Sequence, residues 1–252
     1  MGAEYFAKRF YAGETAMSEK ILIVDDEREI ADLVEVYLQN DGFQVRKFYN
    51  ASEALSCVET EDLSLAILDV MLPDMDGFAL CRKIREKHLF PIIMLTAKVE
   101  DIDKITGLTL GADDYITKPF NPLELTARVK TQLRRYTRYN TAACPANVES
   151  ALNDEISIRG LCISESSHKC FLNERELILT PIEFNILLYL CKHRGSVVSS
   201  EELFTEVWGE ICFDSNNTVM THIARLREKM NESARKPKYI KTVWGVGYTI
   251  EQ

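Results

Sequence analysis

The sequence predicts an α/β unit, a doubly wound parallel sheet of five strands, followed by a smaller α+β unit of short strands, three helices and a terminal hairpin. Three observations predict it. Strand-sized segments recur five times up to residue 117, and each is followed by a segment with apolar residues at helical spacing. Most of the strand segments are continuous apolar runs, as strands buried on both faces are. From residue 156 that rhythm gives way to strand-sized pieces between turns, then to three helical segments.

The first run, Ile21-Leu22-Ile23-Val24, leads into a helix over 27–40, with Ile30, Leu33, Val34, Tyr37 and Leu38 at helical spacing. Asp41-Gly42 stops it, because glycine tolerates the left-handed backbone of a helix end. Residues 43–49 alternate as a strand, and 51–59 are helical with Ala54, Leu55 and Val58 inward. Leu65-Ala66-Ile67-Leu68 is the third strand, followed by a loop at Pro73-Asp74-Met75-Asp76-Gly77 and a helix over 78–87. Pro91-Ile92-Ile93-Met94-Leu95 is the fourth strand, and 101–110 is a helix stopped by Gly111. Residues 114–117 make the fifth strand, and 122–136 a helix with Pro122 in its first turn. Residues 137–155 lose the periodicity and read as a linker.

In the second unit, strands are expected at 161–164, 169–172 and 177–179. The first helix, 181–192, has Thr180 and Glu183 at the spacing of a capping box. The second, 200–207, is capped by Ser199 or Ser200. The third, 218–230, is capped by Asn216 or Asn217. Residues 239–243, the Gly245-Val246-Gly247 turn and 248–251 read as a hairpin. The expected domains are 18–137 and 155–252, joined by a linker at 138–154. Residues 1–17 are expected to be an extension.

Composition excludes several classes. Apolar residues make up 46% and charged residues 27%, as in soluble globular chains. No apolar stretch approaches the roughly 20 residues that span a bilayer. The seven cysteines show no CxxC and no zinc-finger spacing, so they read as reduced core residues of a cytoplasmic protein. The net charge is −9, but residues 150–252 carry 12 Lys+Arg against 14 Asp+Glu, so about −7 falls on the first unit. A basic cluster between Arg225 and Lys241 keeps nucleic acid open as a ligand, since patch charge outweighs the average.

The chemistry concentrates at strand ends. Asp25 and Asp26 close the first run, Asp69 closes the third, Thr96 follows the fourth and Lys118 follows the fifth. Ligands bind at the carboxyl ends of strands in such sheets. Crowded carboxylates repel, so this crevice suits a hard divalent cation, most simply Mg²⁺. A central carboxylate can be a metal ligand, a base or a nucleophile that forms an aspartyl phosphate. Thr96 and Lys118 are placed to meet phosphoryl oxygens. Any one of these residues alone reads as a cap or turn residue, Asp74 included.

Val24-Asp25-Asp26-Glu27, Leu68-Asp69-Val70-Met71-Leu72-Pro73-Asp74-Met75-Asp76-Gly77, Leu95-Thr96-Ala97-Lys98 and Gly111-Ala112-Asp113-Asp114-Tyr115-Ile116-Thr117-Lys118-Pro119-Phe120 resemble the receiver domain of two-component response regulators. The resemblance implies that Asp69 accepts a phosphoryl group from a sensor histidine kinase. It implies that Asp26, Asp69 and the Met71 carbonyl bind Mg²⁺, with Asp25 acting through water. Thr96 and Tyr115 are implied as the switch pair, and the Lys118–Pro119 bond as cis. It further implies a homodimer face carrying Lys104, Asp113, Asp114, Glu124, Arg128 and Arg135.

Strands, three helices and a terminal hairpin are the order of a winged helix. Val219, Ile223, Leu226 and Met230 form the inward stripe of the third helix. Thr218, Thr221, His222, Arg225 and Arg227 then suit a major groove, where arginine reads guanine. Leu179-Thr180-Pro181-Ile182-Glu183-Phe184, Val207-Trp208-Gly209 and Thr242-Val243-Trp244-Gly245-Val246-Gly247-Tyr248 resemble the effector domain of the OmpR/PhoB class. That resemblance implies promoter DNA as a partner, with Asn217 at the bases, Lys238 and Lys241 on phosphates and Trp244 in the wing. It implies contact of residues 209–216 with RNA polymerase. Two departures matter. Trp244 stands where many members have a wing arginine, and Ala224 where the helix often has a basic residue. Asp103-Lys104-Ile105-Thr106-Gly107-Leu108-Thr109 and 239–248 are similar, more narrowly, to regulators of inducible vancomycin resistance.

Two other classes fit the sequence less well. A haloacid-dehalogenase-like phosphatase places a second acid two residues after its nucleophile, where this chain has Met71. A receiver with a protein-binding output is countered by the arginines of the third helix.

Overall fold

The computed structural model describes residues 19–97, 111–142, 155–209, 215–233 and 236–251, without the side chains of 138–142 and 215–217. The extension at 1–17, the helix expected at 101–110, Lys104, the side chain of Asn217 and most of the 209–216 loop lie outside them.

Five parallel strands form the first sheet: β1 (Lys20–Val24), β2 (Gln44–Phe48), β3 (Leu65–Asp69), β4 (Ile92–Ala97) and β5 (Asp114–Lys118), in the order β2-β1-β3-β4-β5. The period of two along each strand divides the core. Ile21, Ile23, Leu65, Ile67, Ile93 and Leu95 face α1 (Arg28–Asn40) and α4 (Pro122–Ala142). Leu22, Val24, Ala66, Leu68, Ile92 and Met94 face α2 (Ala51–Thr60) and α3 (Gly77–Arg85). Burial of each large aliphatic side chain contributes roughly 1.5–3 kcal/mol, so the two layers hold the strand ends rigidly.

Local signals end the helices as the side chains dictate. Gly42 follows α1 with φ of 88°. Asn50 Oδ1 caps α2 by accepting from the Glu53 N–H at 2.9 Å. Asp74, from the loop after β3, accepts from the Ala51 and Ser52 N–H groups at the same helix start, both at 2.9 Å. That loop is thereby tied to α2. The expected break after Tyr136 does not come there: α4 continues to Ala142.

The second unit packs around one core of Leu161, Ile163, Leu179, Phe184, Leu187, Val219, Ile223 and Leu226. Its first sheet is antiparallel: β6 (Glu155–Ile158), β7 (Leu161–Ser164), β8 (Lys169–Leu172) and β9 (Arg175–Glu176). The strand expected at 177–179 is displaced. Leu177 and Leu179 fill the core, while Arg175 and Glu176 make the ladder to β8. The helices are α5 (Pro181–Lys192), α6 (Ser200–Trp208) and α7 (Ser215–Lys229). The Thr180–Glu183 capping box is present, and Ser199 caps α6. The hairpin β11 (Ile240–Val243) and β12 (Gly247–Ile250) gains a third strand, β10 (Val198–Ser199), where the sequence pattern predicts none. Among the described residues no helix is long and apolar enough to cross a membrane.

Candidate functional site

The register sets the carboxylates side by side. Val24 lies opposite Leu68 across β1 and β3, so Asp25 and Asp69 emerge together. Both are buried. Lys118 ends β5 and returns over them. Its Nζ lies 2.9 Å from Asp25, 2.9 Å from Glu27 and 3.1 Å from Asp69. Burial raises the pKa of Asp69 above its ordinary value, against the pull of the Lys118 ammonium. Asp25 is raised for the same reason, and the Asp69 charge adds to it. Burial disfavours the Lys118 charge, but its bonds to Asp25 and Glu27 outweigh this and raise its pKa.

Asp25, Glu27 and Asp69 bring carboxylate oxygens within 4.8 Å of one another. Three carboxylates against one ammonium leave an excess of negative charge, and every donor is a hard oxygen. That set fits a divalent cation of the Mg²⁺ type. Glu27 was missed by sequence reasoning; its place two residues beyond Asp25, on the same side of the chain as the strand ends, was the available signal. Asp26 is exposed and stands outside this group. The Met71 side chain points to solvent, while its backbone N–H is directed at the Asp69 carboxylate. Gly77 lets α3 begin against this site, because a Cβ there would stand 1.9 Å from the Asp69 carbonyl oxygen.

Thr96 is buried at the end of β4, next to Asp69, and its hydroxyl donates to the Ala97 carbonyl at 2.9 Å. Tyr115 has a buried hydroxyl without a hydrogen-bond partner among the described residues. The Lys118–Pro119 bond is cis. Of the charged face, Asp113 and Asp114 turn inward. The Asp113 carboxylate accepts from Arg85 and from the Ile92 N–H at 2.8 Å. Asp114 pairs with Arg128 at 3.1 Å, and Arg128 also meets Glu124 at 3.0 Å. Arg135 lies beside Gly209 of the second unit.

The α7 residues expected to read DNA are not all presented to solvent. Thr221, His222 and Arg225 are buried, at 3%, 0% and 5% exposure. The Arg225 Nη1 donates to the Ala112 carbonyl at 2.8 Å, and the Trp208 Nε1 donates to the Asp113 carbonyl at 3.2 Å. The first unit therefore covers part of this helix. Arg227 braces the hairpin, donating to the Ile240 carbonyl at 2.7 Å and the Thr242 hydroxyl at 2.9 Å. Thr218 is half-buried, Lys238 and Trp244 are exposed, and Lys241 is paired with Glu251.

Residues 21–130 match the response regulator receiver domain family, and residues 174–250 match the C-terminal domain of transcriptional regulatory proteins. The chain is 63% identical to the regulatory protein VanRc of Enterococcus gallinarum, over 94% of this chain and 100% of that protein. It is 58% identical to the regulatory protein VanR of Enterococcus faecium, with the same coverage. It is 43% identical to the alkaline phosphatase synthesis transcriptional regulatory protein PhoP of Bacillus subtilis, over 94% of this chain and 98% of that protein. A solved structure of a RitR mutant is similar, with a TM-score of 0.67 and 27% identity over 93% of this chain and all of that one.

Proposed function

The chain belongs to the two-component response regulators of the OmpR/PhoB type, and from that premise we propose that phosphorylation of Asp69 switches it to a dimer that binds promoter DNA. The observation that carries this reading is the Lys118 ammonium seated between Asp25 and Asp69 at adjoining strand ends. A buried carboxylate beside a fixed cation can attack phosphorus while the cation meets the developing charge.

In this reading an Asp69 oxygen attacks the phosphorus of a phosphohistidine on a sensor kinase. The P–N bond breaks, and the imidazole leaves with a proton. Asp26, Asp69 and the Met71 carbonyl would hold Mg²⁺, with Asp25 behind a water and Glu27 as a further donor in the same pocket. The ion would supply charge neutralisation for the phosphoryl oxygens. Thr96 turns its hydroxyl from Ala97 to the new oxygens, and Lys118 stays on them. Tyr115 moves into the space that Thr96 leaves. The face with Lys104, Asp113, Asp114, Glu124, Arg128 and Arg135 then pairs with a second copy about a two-fold axis.

DNA contacts fall to Asn217, Thr218, Thr221, His222, Arg225 and Arg227, with Lys238, Lys241 and Trp244 at the backbone and wing. The loop at 209–216 meets RNA polymerase. The likeness to VanRc and VanR supports a cytoplasmic activator of vancomycin-resistance genes. Met71 stands where a phosphatase would need a general acid, so turnover is limited to the chain's own aspartyl phosphate.

Phosphoramidate with Mg²⁺ tests the assignment. Intact-mass analysis should show one added phosphoryl group on the native chain and none on Asp69→Asn. Equal labelling of the two would refute Asp69 as acceptor.

A further inference from the structure

Among the described residues, the most exposed large apolar side chain is Trp244, at 90%, and Val246 near it is 57% exposed. Both stand at the tip of the β11–β12 hairpin. The Val246 N–H donates to the Val243 carbonyl at 3.0 Å, which closes a turn with Trp244 and Gly245 at its corners. Gly245 has a φ of 75°, the backbone that a type II turn needs at that position. The tip is held from below. Arg227 of α7 bonds Ile240 and Thr242 on β11. A Cβ on Gly247 would stand 2.0 Å from the Val198 carbonyl oxygen, so β12 lies tight against β10. The indole is thus carried into solvent on a fixed arm.

Its surroundings say what it meets. Met220 of α7 is 42% exposed and Ala224 is exposed, and with Arg227 they lie on one helix face. Arg227 joins that face to the hairpin, so the exposed side of α7 and the wing tip form one surface. Arg159, Lys238 and Lys241 gather around β11, against Glu232 and Glu251. The balance there is positive, the sign that phosphates require. A protein partner fits less well. One indole offers on the order of 200 Å², whereas a stable protein interface needs about 800 Å² on each side. A lone ring on a narrow arm has the shape of a wedge between stacked bases.

We propose that Trp244 is such a wedge: it enters the minor groove beside the site read by α7, unstacks one base step and bends the duplex. The inference rests on the DNA-reading role proposed above for α7. It goes beyond that role, because an uncharged indole reads how easily a step deforms and not its base edges. Pyrimidine–purine steps unstack most easily, so these are the steps it selects.

The probe is a pool of random-sequence DNA duplexes at fixed salt, retained by the full-length chain with phosphoramidate and Mg²⁺. Substitution of a side chain so exposed leaves the fold intact. Duplexes retained by the native chain should share a pyrimidine–purine step at one fixed position, and Trp244→Ala should lose that preference alone. On one retained duplex, Trp244→Ala should bind at least about fivefold more weakly. Energy transfer between dyes at the duplex ends should report a smaller bend for this variant. Trp244→Phe should keep most of both effects. Trp244→Arg supplies a cation in place of the ring. It should steepen the dependence of log affinity on log salt by about 0.9 and leave the duplex straighter than the native chain does. Native affinity, bend and step preference in Trp244→Ala overturn the wedge.

A second readout is optical. The chain contains two tryptophans, and Trp208 is 2% exposed, so the emission lost in Trp244→Phe belongs to Trp244. Stacking on bases should quench that share by at least half when the duplex binds. Unquenched emission in a chain shown to hold the duplex overturns the wedge and leaves α7 as the reader. If the native chain retains no duplex from the pool, the DNA-reading role fails and the wedge fails with it.

Discussion

At the scale of single residues, Lys118 carries the greatest share of the site. Its ammonium meets Asp25, Glu27 and Asp69 at once, and only 11% of its side chain is exposed. Asp25 and Asp69 are raised by burial, and Lys118 is the opposing influence that keeps them available as anions. Lys118→Ala should therefore act in two ways: Asp69 is a weaker nucleophile because its proton is held more tightly, and the phosphoryl oxygens lose a fixed cation. Removing one such charge-stabilising group typically costs about 10²–10³ in rate. Initial rates of Asp69 labelling by phosphoramidate, read by intact mass, should fall by that order. A rate close to that of the native chain would show that the ammonium only packs against the carboxylates. Asp74 acts differently. It is an exposed carboxylate held near a pKa of about 2 by Ser52 and the Ala51 N–H, so its service is to anchor the loop after β3.

At the scale of elements, Glu183 is the joint of the C-terminal unit. Its carboxylate accepts from the Thr180 N–H at 2.8 Å, closing the capping box of α5, and from Lys229 of α7 at 2.6 Å. One buried side chain thus fixes the start of one helix and the end of another. Glu183→Ala should lower the stability of this unit by on the order of 2 kcal/mol, the upper range of a lost cap. Calorimetry should show the C-terminal transition shifted down by several degrees while Asp69 labelling stays native. That capping box was legible because Thr180 and Glu183 are neighbours in sequence. The five strands of the first sheet were legible because the buried ones are almost unbroken apolar runs. The failures share the opposite property. Val198–Ser199 becomes a strand through a partner fifty positions away, Tyr248, so no local pattern marks it. The turns past Tyr136 continue α4 to Ala142 without any apolar periodicity in the sequence to mark them. In the site, Asp25, Asp69, Thr96 and Lys118 were readable from strand ends, whereas Glu27 joins them through the bend after β1. Burial of Thr221, His222 and Arg225 was not readable at all, because polar residues covered by another domain look the same as polar residues in water.

At the scale of the whole molecule, the proposed phosphoryl site and the proposed DNA-reading helix are linked through one contact, α7 against segment 111–114. Two ligands that bias one equilibrium must help each other by the same factor. Beryllofluoride makes this measurable, because it binds an aspartate reversibly as a phosphoryl mimic. Its affinity for the native chain with Mg²⁺ should rise when saturating DNA is present. The rise should equal the factor by which beryllofluoride tightens DNA binding, within the usual coupling range of about 5–150-fold. Trp208→Phe should shrink both factors together, since it weakens the closed state from which the coupling arises. If beryllofluoride affinity is blind to DNA, each site works alone and closure is not the link between them. His222 gives the same equilibrium a pH dependence. It is fully buried, and burial holds its pKa well below the ordinary value near 6.5, with Arg225 beside it adding to the effect. An imidazole that must stay neutral in the closed form favours closure above that ordinary value. Closure is lost as pH falls below it, because the opened form takes up the proton. Arg85 and Lys229 also act on His222 and strengthen the same sign, while the Asp113 backbone opposes it. Both factors should therefore shrink from neutral pH to mildly acid pH, as the unliganded chain comes to stand open before either ligand arrives.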